Sequence, residues 1–166
     1  MVYIILFSIV GILLLTYIIA YYLTHSPVKR SEKKIVHLFH EKVSKIPALI
    51  EVMRPHVFEE RAFDLITTLH TETMIRDYSS IYTLLEQNAR IHDQFLFLLK
   101  LSVHIPALQK DAYFLYIRDF IIGYDRDMQI SFEVFNTSIR VWNRFVLLKN
   151  ISIIGFFLPG RTLTQV

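Results

Sequence analysis

The stretch VYIILFSIVGILLLTYIIAYYL, residues 2–23, decides how the chain is read. It carries no charge, and at about 1.5 Å of helical rise per residue its length comes to roughly 33 Å, enough to cross the hydrocarbon core of a bilayer. Tyr3 near one end and Tyr21 and Tyr22 near the other stand where amphipathic rings favour the headgroup region. Working outward, Lys29, Arg30, Lys33, Lys34 and Lys42 crowd the C-terminal flank, while the other flank is only the start of the chain. The positive-inside rule then gives a single-pass anchor over residues 1–25, with the N-terminus outside and the following domain in the cytoplasm. No small-x-small site follows Ala20, Tyr21, Tyr22 and Leu23, so the span is expected to persist as an anchor.

No second apolar run approaches the ~18 residues of another crossing, and the rest of the 166-residue chain suits one domain. The absence of cysteine excludes disulfides, thiolate zinc sites and cysteine nucleophiles. With a net charge of +3 and no interleaved basic and aromatic stripe, nucleic acid is not an expected partner. There is neither a glycine-rich phosphate loop nor a Ser/His/Asp arrangement, so no cofactor, small-molecule substrate or catalytic activity is inferred. The partners expected are membrane lipid, through the span, and a protein whose identity the sequence does not disclose. The basic cluster at 29–34 is also placed to touch anionic headgroups.

Beyond the span the apolar residues recur at helical spacing. Ser26-Pro27 reads as the start of a new helix, carrying Ile35, Leu38, Phe39, Ile46, Leu49, Ile50 and Met53 on one stripe, with a kink or irregular turn at Pro47. After a break at Arg54, Pro55 and His56, a second stripe of Phe58, Ala62, Leu65, Ile66 and Leu69 fades into the threonines of 67–73. Asp77, Ser79 and Ser80 cap a third helix bearing Ile81, Leu84, Leu85, Ile91, Phe95, Leu98, Leu99 and Val103, which Pro106 ends. A fourth begins near Asp111 and runs nearly to residue 150, with Gly123 as its one candidate break. Its Met128, Phe132, Phe135, Ile139, Trp142 and Val146 form an a/d seam. The expected fold is all-α: an N-terminal transmembrane helix followed by an antiparallel four-helix bundle over residues 26–150, then an apolar tail over 151–166. Alternating helices bring ISIIGFFL, residues 151–158, back to the bilayer, provided the chain reverses at Pro55.

Candidate chemistry is sparse. His37, His40 and Glu41 share one side of a helix, and a membrane-bound metal-dependent hydrolase using them is the alternative function; solvated histidines beside Lys42 are the plainer reading. His70, His92 and His104 are isolated along their helices, and the helix-four charges Asp125, Arg126, Asp127, Glu133, Arg140 and Arg144 read as a solvated surface. Asn136 and Asn143, two turns apart beside the seam, are each placed to bond a facing backbone or side chain and set helix register, with a ligand contact as the other reading.

The aromatic-Asn pairs Phe135-Asn136 and Trp142-Asn143, the stretches KIPALIEV (45–52) and HIPALQK (104–110) with their Pro47 and Pro106, the segment 125–157 and the N-terminal span together resemble the LemA family, in its order and over essentially the whole chain. Asp125 falls where that family usually has Glu, the two aromatic-Asn pairs stand at its Tyr-Asn pairs, and Ile153, Ile154, Gly155 and Phe157 resemble its closing apolar motif. The chain departs from it at Lys149-Asn150 in place of Phe-Pro, at Phe132 in place of Arg, and at Glu41-Lys42 in place of paired Arg. The resemblance implies a membrane-anchored helical bundle, acting as an interaction or scaffold protein, in which Pro47, Pro106, Asp125, Phe135, Asn136, Trp142 and Asn143 have structural roles.

Overall fold

The computed structural model describes residues 1–57, 60–75, 80–151 and 160–166. Among them every regular element is helical: α1 (Val2–Ser44), α2 (Ile46–Met53), α3 (Asp64–Ile75), α4 (Ile81–Val103) and α5 (Ala112–Ile151), with single 3-10 turns at Arg54–His56, Glu60–Phe63 and Leu108–Lys110. The first helix is long and apolar enough to cross a membrane: its most apolar window has a mean hydropathy of 2.6 and none of that window is buried in protein.

Two compact units emerge. One comprises Met1–Lys33 and Ser131–Val166, the other Lys34–Ile130. These bounds differ from the expected division at residues 25 and 150, because α1 and α5 are each long enough to contribute to both units.

Pro27 does not start a helix; it lies inside α1. Its ring removes one bond to the carbonyl of Leu23, but helical turns continue on both sides, where Thr24 Oγ1 donates to the Ala20 carbonyl at 2.7 Å and Ser31 Oγ to that of Pro27 at 2.9 Å. The next interruption is at Lys45, and Pro47 follows in the first turn of α2, where its missing donor costs nothing.

The threonine-rich stretch is also helix. Thr68, Thr71 and Thr73 turn their hydroxyls back onto the carbonyls of Asp64, Thr67 and Leu69 at 2.7–2.9 Å, which satisfies them without ending α3. The buried face of this region is Phe63, Ile66, Leu69 and Thr73, and Leu65 is exposed. Phe58 of the expected stripe, and Asp77 and Ser79 of the expected cap, lie outside the described residues. Ser80 caps α4 as expected, its Oγ accepting from the Tyr82 amide at 3.2 Å. At the other end Val103 is exposed, and the chain turns through His104 and Ile105 before Pro106.

Asp111 Oδ1 accepts from the Tyr113 and Phe114 amides at 2.8 and 2.9 Å and so begins α5. This helix is unbroken at Gly123, where an added Cβ would meet nothing within 4 Å. Met128, Phe135, Ile139, Trp142 and Val146 of the seam are buried; Ser131 takes the buried position beside Phe132, which is half-exposed. Within the second unit α2 packs on α3 and α3 on α4. The stretch ISIIGFFL lies, but for Ile151, outside the described residues.

Candidate functional site

Each unit holds a polar arrangement among its described side chains. In the second unit it centres on Lys42. The buried stripe of α1 runs Ile35, Leu38, Phe39, Val43, and Lys42 stands within it with a side chain only 1% exposed. Its ammonium donates to Asp125 Oδ1 on α5 at 2.5 Å and to Asn88 Oδ1 on α4 at 3.0 Å. The other carboxylate oxygen of Asp125 faces His92 Nδ1 at 3.1 Å. Burial pushes the Lys42 ammonium below the ordinary lysine range, and the charge of Asp125 and the hydrogen bond to it oppose that shift. Three helices are thus pinned at one cation.

This placement revises two readings from the sequence. Lys42 is a core residue and not a flanking surface charge, and Asp125 is its counter-ion and not part of a solvated face. A signal existed in part: the apolar stripes of α4, between Leu85 and Ile91, and of α5, between Ile121 and Met128, each skip a turn at Asn88 and Asp125, whereas Val43 carries the α1 stripe past Lys42.

Nearby, buried Gln87 sets its Nε2 3.4 Å from Thr73 Oγ1 and 3.5 Å from Glu72 Oε2. His37 is exposed and His40 and Glu41 are half-buried, and among the described residues no group of three or more His, Asp or Glu side chains converges to hold a metal ion. Pro47 lines a surface hollow of about 460 Å³ together with Ile50, Glu51, Arg54, Thr67 and His70. Burial lowers the His70 pKa there. Pro106 is exposed in the turn between α4 and α5.

The first unit brings Phe135, Asn136, Trp142 and Asn143 together along α5, where Phe135 and Trp142 are buried. The indole of Trp142 packs edge-on against Tyr21 and His25 of α1, with ring centroids 5.3 and 4.9 Å away, and beside Phe145 at 5.7 Å. Tyr21 is therefore partly covered by protein, whereas Tyr3 and Tyr22 are exposed.

On the same helix a row of side chains holds residues 160–166 by their main chain. Asn143 Oδ1 accepts from the Leu163 amide at 2.8 Å and its Nδ2 donates to the Leu163 carbonyl at 2.7 Å. Asn136 repeats the arrangement with Val166, accepting from the amide at 2.9 Å and donating to the oxygen at 2.5 Å. Trp142 Nε1 donates to the Arg161 carbonyl at 2.8 Å and Lys149 Nζ to that of Gly160 at 3.4 Å.

The spacing explains the register. Seven residues of α5 advance about 10.5 Å, and three residues of nearly extended chain cover about 10 Å, so a heptad on the helix meets every third main-chain unit of a segment running antiparallel to it. Gly160 begins that segment with φ +152°, in a region that L residues rarely adopt. Both asparagines do bond facing backbone, but it belongs to the C-terminal segment and not to a neighbouring helix. No protein-family model, no curated protein and no solved structure matches the chain.

Proposed function

We propose that the protein is a membrane-anchored, LemA-like helical bundle that acts as an interaction or scaffold protein at the membrane. In this reading α1 crosses the bilayer once, with its N-terminus outside and the bundle in the cytoplasm. The antiparallel bundle comprises the C-terminal part of α1 with α2, then α3, α4 and α5, an order supported by the packing of α2 on α3 and of α3 on α4. With Lys42 in the core, the orientation rests on Lys29, Arg30, Lys33 and Lys34.

The observation that carries the interaction role is the face of α5 that grips a length of polypeptide through main-chain hydrogen bonds. A photo-crosslinking residue at Arg140, exposed in the same unit, tests it in intact cells. Discrete protein adducts absent from a control with the crosslinker at Tyr22 are expected, and identical patterns from the two positions overturn the reading. Protease treatment of sealed vesicles tests the orientation; cleavage of the bundle from the outer side would reverse it.

A further inference from the structure

We propose that the face of α5 bearing Asn136, Trp142, Asn143 and Lys149 is a receptor for an extended segment of a partner protein, read by its main chain, and that residues 160–166 are a built-in competitor for it. This rests on the reading of the protein as an interaction module and names the chemistry of what it binds.

The hydrogen bonds to the segment are the argument. Each asparagine uses both ends of its amide on the N–H and C=O of a single residue, and the indole and ammonium add bonds to two further carbonyls. These bonds all go to main-chain atoms of the segment, and the side chains of Arg161, Thr162, Leu163 and Gln165 are exposed. Recognition of this kind specifies conformation in place of side-chain identity. The ligand must be extended for at least four residues, and must carry an N–H, hence no proline, at two positions three apart.

A tethered segment competes at an effective concentration on the order of millimolar. A free peptide therefore sees a largely occupied face, and binding improves when the chain's own segment is released. The partner is accordingly an extended stretch held close by the same membrane, where its own local concentration is high.

The test uses the full chain in lipid nanodiscs and a fluorescein-labelled peptide, GRTLTQV, as probe. Leu163→Pro removes the N–H that Asn143 accepts, and the released face should bind the probe about tenfold more tightly than the parent chain does. A chain lacking residues 160–166 should do the same, which guards against misfolding caused by the proline. Adding Asn136→Ala and Asn143→Ala to either variant should abolish binding, and so should N-methylation of the probe at its leucine. A probe with its order scrambled should bind within about threefold.

A shortened chain that melts normally yet ignores the probe overturns the proposal. So does a methylated probe that binds unchanged, or a scrambled one that does not bind. The chain has no cysteine, so the pair Asn143→Cys and Leu163→Cys reports whose segment occupies the face: a disulfide within one chain is expected, and one formed between chains would assign the face to a second copy. Probe binding needs no cellular partner. A chain that binds the probe but yields no adducts from Arg140 loses the scaffold role and keeps this proposal, and the reverse pattern removes this proposal alone.

Discussion

Replacing Asp125 with leucine should destabilise the protein by about 3–5 kcal/mol, because it strands a cation that the fold has taken out of water. The magnitude follows from exposure: the Lys42 side chain is 1% accessible and that of Asp125 17%, so the pair lies outside the regime in which surface ion pairs contribute about 0–1 kcal/mol. After the substitution the ammonium keeps Asn88 Oδ1 at 3.0 Å in place of a carboxylate. Lys42→Met should cost less, about 1–3 kcal/mol, since Asp125 keeps His92 at 3.1 Å and some contact with water. The double variant, Lys42→Met with Asp125→Leu, should return to near the parent or above it, as apolar replacements of buried pairs commonly do.

Urea titration in detergent, followed by circular dichroism, measures all three. The pH dependence supplies a second check. Burial holds the Lys42 pKa below its ordinary value, so between the folded and unfolded values the unfolded chain binds more protons, and stability rises with pH through that window. Without Asp125 to favour the ammonium the window opens at lower pH. The deficit of Asp125→Leu should therefore shrink as pH climbs from 7 towards 10, by at most about 1.4 kcal/mol per unit, and Lys42→Met should abolish the rise. An Asp125→Leu chain within about 1 kcal/mol of the parent and flat in pH would refute the buried-cation argument.

Three further outcomes follow from the packing. Trp142→Ala should cost about 3–5 kcal/mol, since the indole is 3% exposed between Tyr21, His25 and Phe145; an unchanged melting curve would mean that this contact contributes nothing. Pro27→Ala restores a donor inside α1 and should stabilise the helix by up to about 3 kcal/mol, with a fall in melting temperature as the contrary result. Gly160→Ala places a side chain at φ +152° and its Cβ 3.5 Å from Lys149 Nζ. Amide exchange at Leu163 and Val166 should then speed up by about tenfold or more, while exchange within α4 stays as it was.

Periodicity made the helices legible, and length with hydropathy made the span legible, because both are properties of side chains along one element. Ser80 and Asp111 announced their helices because a cap is local chemistry. Pro27 misled for the complementary reason: a local preference is a weak constraint beside the continuous helix on either side of it. Lys42, Asn88 and Asp125 were half-legible. The stripes of α4 and α5 each miss an apolar residue, yet nothing in either says that its gap meets the other beside a lysine of α1.

The α5 face is the limiting case. Its amides stand seven apart, and that spacing is visible in the sequence; what they hold is RTLTQV, residues 161–166, which has no periodicity, cap or charge pattern. A segment recognised by its main chain leaves no mark on its own residue choice, because nearly every residue supplies the same N–H and C=O. Only the reader of such a segment carries a pattern. It follows that a segment able to displace 160–166 is identified by its extended conformation and by the N–H groups it offers, and two sequences without similarity are equivalent ligands if both supply them in register.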